Sequence, residues 1–226
     1  LYNRLNNSLP LAVTLVLLGL GTFVYYVRCL IRCRQAGKTV GRGLTGVMGA
    51  VVLWLLGLMV LRGVVSGHLP MSNGHETMHL LAVCAAVLTL CFRRRFPLAL
   101  PFGFLVCGLA LMVSMLGERN PQITPLMPVL ASPLLSIHVA VIMIAYALLA
   151  FVMLNGVAAL LLGAMRKDCG DEMKQLQTVS RLMLYPAVFL LAAGIFVGAV
   201  WANVSWGGYW GWDPKEVWAL VTMLVY

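Results

Sequence analysis

Long uninterrupted apolar runs are the feature that most constrains this sequence. A helix needs about 20 apolar residues to cross a bilayer, and six runs approach or exceed that length, while a seventh begins near Lys215. The six runs are Ser8–Tyr26, Gly43–Leu61, Met78–Phe92, Phe96–Leu116, Pro133–Ala164 and Leu182–Val200. We expect the third to start earlier, near Asn73. Continuous runs predict helices, because the strands of a membrane barrel alternate. The sequence therefore predicts an all-α, polytopic transmembrane bundle with six full spans and a truncated seventh.

The composition is also typical of a membrane protein. Hydrophobic residues make up 62% of the chain and charged residues 10%, whereas soluble domains are about half apolar and about a quarter charged. These values exclude a disordered chain and an ordinary soluble enzyme. The net charge of +9 would also suit a nucleic-acid-binding protein, so the placement of the basic residues decides its meaning.

Twelve of the sixteen basic residues lie on one alternating set of predicted loops, namely Arg28–Arg42, Arg93–Arg95 and Arg166–Arg181. The other set carries four basic residues and four acidic ones. Lys and Arg are enriched on the cytoplasmic side of membrane proteins, so the first set is predicted to be cytoplasmic and the second to face outward. The charge therefore predicts contact with membrane lipid and no nucleic-acid partner.

Five of the six tryptophans fall between Trp201 and Trp218, on a predicted outward loop. One interpretation is an interfacial belt, since Trp and Tyr favour the headgroup region. A belt does not require rings interleaved with glycines, as they are over residues 206–212. Glycines let rings and backbone approach a flat ligand closely. The pattern favours an aromatic surface for a planar, apolar ligand, formed by Trp206, Tyr209, Trp210 and Trp212.

Two polar candidates lie on the same side. Asp213 precedes a proline and stands three residues before Glu216, which is the spacing of a helix N-cap with a capping box. Asp213 can therefore cap the seventh span and still take part in a site. His138 follows a second predicted helix start at Pro133, at the outward end of the fifth span. A histidine there can be an interfacial polar group or an axial ligand of haem iron, and the neighbouring aromatic surface favours the ligand.

The sequence His75-Glu76-Thr77-Met78-His79 forms a third motif. On a helix, two imidazoles four residues apart could bind Zn²⁺ with Glu76 as general base, which makes a membrane zinc protease an alternative. No third ligand is obvious, however. Asn73 can also cap the third span with Glu76 as its capping partner, and this explains the glutamate without a metal.

Taken together, these stretches resemble the CcsA (ResC) type of cytochrome c biogenesis protein, one of the haem-handling membrane proteins that share a tryptophan-rich "WWD" segment. The likeness covers about residues 43–226. It rests on residues 206–220 (Trp-Gly-Gly-Tyr-Trp-Gly-Trp-Asp-Pro-Lys-Glu-Val-Trp-Ala-Leu), 66–76, 125–138 and 198–203. His75 and His79 depart from the family pattern, in which those positions are commonly aromatic or aliphatic.

The resemblance implies a function in cytochrome c maturation. Such proteins hold haem b on the outer face of the membrane between two external histidines, and the haem is then joined by two thioether bonds to the Cys-x-x-Cys-His motif of an apocytochrome c. His138 matches the first external histidine, an axial ligand of the iron, and the second ligand is expected outside this chain. The residues implied to contact haem are Trp201, Trp206, Tyr209, Trp210, Trp212, Asp213 and Trp218.

The resemblance also implies partners, a domain division and a location. The partners are haem, apocytochrome c, membrane lipid and a CcsB (ResB) subunit or fused domain, within a cytochrome c haem lyase (holocytochrome c synthase) complex. Residues 1–42 are expected to form an N-terminal span with a basic cytoplasmic loop. Residues 43–226 are expected to form the haem-handling domain, with outward loops 62–77 and 117–132 and a WWD segment at 201–216. We expect a bacterial plasma membrane protein with the WWD segment and His138 outside, although a thylakoid membrane would also fit.

Two alternative functions would also require a multi-pass membrane protein. A haem exporter or chaperone without synthase activity would need every residue named above, so the sequence does not separate it from a synthase. A transporter would place charges or broken helices near the middle of the bilayer. No charged residue lies well inside any of the apolar runs, which argues against a transporter.

Overall fold

The computed structural model is a bundle of helices. It describes residues 8–32, 37–117, 128–165 and 170–226, and within these ranges it contains seven α-helices, a 3-10 turn at Pro128–Ala131 and no strand. The helices are α1 (Leu9–Ile31), α2 (Lys38–Ser66), α3 (Gly74–Phe92), α4 (Ala99–Gly117), α5 (Pro133–Met165), α6 (Gly170–Trp206) and α7 (Pro214–Val225). The first six are long and apolar enough to cross a membrane. The predicted all-α, multi-pass membrane bundle is therefore confirmed.

Several helices extend beyond the apolar runs that predicted them. Much of the predicted loop Arg28–Arg42 is helical, because α1 continues to Ile31 and α2 begins at Lys38. The predicted loop Arg166–Arg181 is likewise wrong from Gly170 onward, where α6 begins. Asp171 and Glu172 lie in the first turn of α6, where carboxylates interact favourably with the helix dipole. Hydropathy detects only the part of a helix that lies in lipid, so it misses such polar extensions.

The predicted outward segments are also shorter than expected. In loop 62–77, α2 continues to Ser66 and α3 begins at Gly74. The Asn73 side chain caps α3 by accepting a hydrogen bond from the Glu76 backbone N–H at 2.9 Å, which confirms the expected start near Asn73. Of the predicted loop 117–132, residues 118–127 lie outside the described residues, and so does part of the family-like stretch 125–138. Within 201–216, α6 continues to Trp206 and α7 begins at Pro214.

Two groups of helices form the core. In one group α4 lies between α1 and α3, and in the other α5 packs along α6, while contacts between α3 and α5 join the two. The Phe102 ring of α4 lies at the centre, with ring centroids 6.1 Å from Phe23, 5.6 Å from Phe96 and 6.2 Å from Phe151. Helix α7 packs on α6, and the Tyr226 hydroxyl donates a hydrogen bond to the Leu149 carbonyl of α5.

The bundle has two chemically different ends. The end at which α6 finishes and α7 begins is called the Trp end below. At the opposite end, called the basic end, one cavity is lined by cations from three parts of the chain, namely Lys38, Arg42, Arg93, Arg95 and Lys174. Basic residues from the predicted cytoplasmic loops therefore meet at one end of the molecule.

Candidate functional site

The Trp segment, Trp201–Trp218, reverses the chain between α6 and α7. Helix α6 ends at Trp206, and Gly207 follows with φ 77°, a left-handed conformation that glycine adopts without steric cost. The Gly207 N–H donates to the Asn203 carbonyl at 2.9 Å, as is usual at a helix C-terminus. Trp212 has φ 56°, which is uncommon for a bulky residue. The surrounding hydrogen bonds must therefore hold it there.

Glu216 and Asp213 provide those hydrogen bonds. One carboxylate oxygen of Glu216 accepts from the backbone N–H of Gly211 at 2.9 Å and from that of Asp213 at 3.2 Å. The Asp213 carboxylate accepts from the Lys215 N–H at 2.8 Å, and the two acidic residues form a capping box at the start of α7. The expected capping role of Asp213 is confirmed. The box also fixes residues 211–213, because both N–H groups converge on a single oxygen of Glu216.

The aromatic rings of the Trp segment are mostly exposed and stand in perpendicular pairs. Trp206, Tyr209, Trp212 and Trp218 are each 60–73% exposed, an unusual density of exposed rings at one helix–helix connection. Trp201 and Trp206 meet edge to face at 6.4 Å, and Trp210 and Trp212 do so at 6.0 Å. The rings therefore offer several separate faces rather than the single flat surface that the sequence suggested.

Two indole N–H groups in the segment are buried and have no acceptor among the described residues. The Nε1 atoms of Trp201 and Trp210 donate no hydrogen bond to any described residue. A buried donor that lacks an acceptor costs about 1–3 kcal/mol. In each perpendicular pair, the ring with the buried N–H group is the less exposed of the two. A ligand carrying acceptor oxygens would satisfy them once the segment opened around it.

His138 lies in the second turn of α5 and packs against α6. Its Nδ1 is 2.7 Å from the Gly194 carbonyl oxygen. A carbonyl can only accept, so Nδ1 carries a proton, and in the neutral imidazole the lone pair is then on Nε2. A Cβ atom placed on Gly198 would lie 2.5 Å from the imidazole Cε1 and 2.6 Å from Nδ1, so the ring fits against α6 only because residue 198 is glycine. The half-buried imidazole therefore contacts protein rather than pointing into lipid.

The contact with α6 places His138 close to the Trp segment. Gly198 precedes Trp201 by three residues, so the two lie on one face of α6 about a single turn apart. The helix then continues for eight residues beyond Gly198 and ends at Trp206, a rise of about 12 Å. The structure thus brings His138 close to the start of the Trp segment at Trp201. Of the exposed rings, Trp206 lies farther along the same helix, and the others follow in the connection and in α7.

A buried ion pair lies at the same end of the bundle, between α2 and α3. Arg62 Nε donates to Glu76 Oε1 at 2.5 Å, with 5% and 2% of the two side chains exposed. The other Glu76 oxygen accepts from the backbone N–H and the hydroxyl of Ser72, both at 2.8 Å. Arg62 was expected in an outward loop, and Glu76 was expected to bond the Asn73 N–H as a capping partner. Instead the carboxylate holds the α2–α3 connection against a buried arginine.

The arrangement of the His-Glu-x-x-His motif does not suit zinc. Both oxygens of Glu76 accept hydrogen bonds from Arg62 and Ser72, so the carboxylate is committed to these partners rather than to a metal-bound water. His79 Nδ1 donates to the His75 carbonyl at 2.9 Å, and its Nε2 is 3.4 Å from the Ser8 hydroxyl. His75 Nδ1 donates to the Ser114 carbonyl at 3.2 Å. No group of three or more metal-ligating side chains occurs among the described residues. The motif instead joins α1, α3 and α4.

Two features of this end were not predicted from the sequence, namely the Arg62–Glu76 ion pair and the Gly194–Gly198 contact surface for His138. Both had a weak signal. Arg62 is followed within one short connection by an acidic residue of opposite charge, and two glycines four residues apart in an apolar helix are typical of close helix packing. Neither signal identifies which residue Arg62 pairs with or which side chain packs on the two glycines, because both depend on which helices are neighbours.

Comparison with known proteins places the chain in a family. Residues 44–226 match the family model described as cytochrome C assembly protein. The chain is 36% identical to Protein NrfI of Wolinella succinogenes, over 77% of this chain and 20% of that protein. It is 36% identical to the cytochrome c biogenesis protein CcsA of Chlamydomonas reinhardtii, over 79% of this chain and 54% of that protein.

The chain belongs to the cytochrome c assembly family. A further relative, the CcsA protein of Synechococcus sp. strain WH7803, is 34% identical over 93% of this chain and 80% of that protein. The CcsA-type resemblance seen in the motifs is therefore confirmed. The matched region spans a fifth of NrfI and about half of the Chlamydomonas protein.

Proposed function

We propose that this chain binds haem b at the Trp end of the bundle and presents it on the outer face of the membrane for thioether attachment to an apocytochrome c. The observation that carries the proposal is the hydrogen bond that orients the His138 imidazole. Its Nδ1–H is bound to the Gly194 carbonyl, which fixes the ring orientation and makes Nε2 the ligand atom of the neutral imidazole. Histidine ligands of metals in proteins commonly donate their other ring N–H to a backbone carbonyl or a carboxylate in this way, and histidine is the usual axial ligand of haem iron.

The surrounding residues suit a large, flat, apolar ligand with acidic groups. Trp206, Tyr209, Trp212 and Trp218 offer exposed ring faces for stacking against a macrocycle. The orphaned N–H groups of Trp201 and Trp210 are donors for propionate oxygens. Asp213 acts through the capping box that orders residues 211–213. Haem supplies the iron that takes an imidazole and the vinyl groups that take up the two thiols of Cys-x-x-Cys-His.

The roles of this chain are to bind, orient and shield. His138 ligates the iron from α5, the Trp segment covers the macrocycle from α6 and α7, and the second axial ligand comes from outside this chain. Release follows when the histidine of the apocytochrome replaces a protein ligand. The proposed partners are the apocytochrome and a CcsB-type subunit or fused domain. The proposed membrane is the bacterial plasma membrane, with the Trp end outside.

The first prediction tests the ligand. His138→Ala in the full-length protein should lower haem affinity by at least about tenfold, because losing an iron ligand is at least as severe as losing an outer-shell partner. Haem content after purification and the absorption spectrum of the reduced protein report the change. Added imidazole should restore part of the haem content, since it can occupy the space left by the side chain.

His68→Ala is the matched control. His68 also lies at the Trp end, but its Nδ1 bonds the carbonyl of the next residue, Leu69, and it should keep wild-type haem content. A His138→Ala protein that retained wild-type haem content and axial spectrum would show that the ligand is another residue. Covalent cytochrome c formation by the reconstituted protein with apocytochrome and reduced haem then separates a synthase from a haem exporter, because only the synthase forms the thioethers.

A further inference from the structure

The basic end of the bundle contains a second site that the haem proposal does not use. A cavity of about 910 Å³ opens between the ends of α1, α2 and α6 and the α3–α4 turn. Its volume falls within the range of about 300–1,000 Å³ that is typical of small-molecule pockets. On α6 it reaches Val179, which lies 22 residues before Trp201, where the Trp segment begins. At 1.5 Å per residue this is about 33 Å along the helix, so the two sites are separate.

The mouth of the cavity is strongly cationic. Five of its lining residues are basic and one, Glu172, is acidic, the basic residues being Lys38, Arg42, Arg93, Arg95 and Lys174. Arg93 donates to the Thr45 hydroxyl at 3.0 Å. Within the described ranges no carboxylate forms an ion pair with Lys38, Arg42, Arg93 or Arg95. Lys174 lies 4.0 Å from Asp171, in a pair that is almost wholly exposed and therefore weak.

The backbone adds to this positive potential. Helix α2 begins at Lys38, next to the cavity, and its N-cap Gly37 provides no side-chain hydrogen bond. The first N–H groups of a helix lack intrahelical partners, and they carry part of the positive end of the helix dipole. Neither α2 nor α4 has an acidic residue in its first turn. An anion at the mouth would therefore face side-chain cations and free backbone donors together.

The floor of the cavity is apolar. Tyr26, Phe96, Leu98, Leu100 and Leu176 line it, and each is no more than 6% exposed. A small inorganic anion would leave this floor uncovered, whereas an amphiphile would place its acidic group at the mouth and its apolar part on the floor. The lining offers a metal one thiol, that of Cys29, and its described residues include no histidine or methionine. It therefore lacks the imidazole on which the haem site depends.

We propose that this cavity binds an anionic phospholipid, with its phosphate held by Arg42, Arg95 and Lys38 and its acyl chains on the apolar floor. Basic pockets between membrane helices bind anionic headgroups in the cytoplasmic leaflet, and the positive-inside rule assigns this end of the bundle to that side. The bound lipid joins helix ends that have few direct contacts, since α6 meets α1 and α2 mainly across the cavity.

The experiment is a titration of the delipidated full-length protein, followed by native mass spectrometry. The probes are phosphatidylglycerol, phosphatidylethanolamine, glycerol 3-phosphate and haem. We expect one tight phosphatidylglycerol per protein, and weaker binding of phosphatidylethanolamine and of the headgroup alone. Arg42→Gln with Arg95→Gln should weaken phosphatidylglycerol binding about 25-fold, because each basic residue near an anionic headgroup contributes about a fivefold effect.

The matched control is Arg28→Gln with Arg94→Gln. These two arginines lie at the same end but do not line the cavity, and removing them leaves the net charge equal to that of the test variant. The control should bind phosphatidylglycerol as the wild type does, and Arg42→Lys with Arg95→Lys should keep most of the affinity. Equal weakening in the control would overturn the site in favour of diffuse surface charge. If glycerol 3-phosphate bound as tightly as phosphatidylglycerol, the ligand would be a phosphate group and not a lipid. If the test variant selectively lost haem binding, the cavity would be assigned to haem instead.

Discussion

The imidazole of His138 owes its proposed role to one hydrogen bond and one missing side chain. The Gly194 carbonyl selects the tautomer with a proton on Nδ1, and the absence of a Cβ at position 198 lets the ring lie against α6. The sequence identified His138 as a candidate because it follows the predicted helix start at Pro133, on the same side of the membrane as the Trp segment. It could not identify the two glycines, because their role depends on how α5 and α6 are aligned.

The second prediction concerns Gly198. In Gly198→Ala the new methyl group would lie about 2.5 Å from the His138 ring, so the imidazole must move and its hydrogen bond to Gly194 must lengthen. Disturbing an outer-shell partner of a metal ligand typically lowers affinity about 10–100-fold. We expect reduced haem content and an altered axial spectrum, with partial recovery in added imidazole, measured on purified full-length protein.

Gly156→Ala is the control for that experiment. Gly156 lies in α5, and a Cβ atom placed there meets nothing within 4 Å, so this variant should keep wild-type haem content and melting temperature. If Gly198→Ala bound haem with an unchanged axial spectrum, the contact with α6 would not position the ligand. If both variants lost haem and melted early, the loss would reflect helix packing in general.

At the scale of helices, the sequence predicted which segments are helical better than it predicted where they end. Asn73 and Asp213 marked the starts of α3 and α7 correctly, because an N-cap is a local signal carried by one or two side chains. The start of α6 at Gly170 was missed, since residues 170–181 are polar and contribute nothing to a hydropathy window. The extension of α2 to Ser66 was missed because Arg62 looked like a loop residue, whereas Glu76 neutralises it.

The third prediction tests that ion pair. Glu76→Gln leaves Arg62 buried without its carboxylate, and breaking one side of a buried pair typically costs about 3–5 kcal/mol. The melting temperature of the protein in detergent should therefore fall. Replacing both partners, as Arg62→Met with Glu76→Gln, should recover part of the loss, because no unpaired charge then remains buried.

Asp171→Asn is the matched comparison. It removes the carboxylate of the Lys174–Asp171 pair, which is almost wholly exposed, and exposed pairs contribute little to stability. Asp171 also lies in the first turn of α6, where a carboxylate is worth at most about 1 kcal/mol at the surface, so the melting temperature should fall much less than that of Glu76→Gln. Equal melting temperatures for Glu76→Gln and the wild type would mean that the α2–α3 connection does not depend on the buried pair.

For the molecule as a whole, hydropathy predicted which segments lie in the membrane but not which helices are neighbours. Lipid-facing and helix-facing residues are equally apolar, so association is decided by close packing of small residues and by polar contacts between helices. The apolar runs of the sequence therefore could not predict that α1 packs on α4, or that α3 packs on both α4 and α5. The charge pattern did predict that basic residues gather at one end, because it reflects insertion into the membrane rather than packing.

The last prediction concerns the orientation of the two ends. The Trp end is expected outside the cell and the basic end in the cytoplasm, because Lys and Arg are retained on the cytoplasmic side. In a variant with its cysteines replaced by serine, we introduce Tyr209→Cys at the Trp end or Arg94→Cys at the basic end; both positions are exposed. A membrane-impermeant maleimide applied to intact spheroplasts should label the first variant, and should label the second only after lysis. Labelling of Arg94→Cys alone in intact spheroplasts would show that the topology is the reverse of the one proposed. The Trp segment could then not reach an apocytochrome outside the membrane. The lipid cavity would keep its chemistry but would face the opposite leaflet.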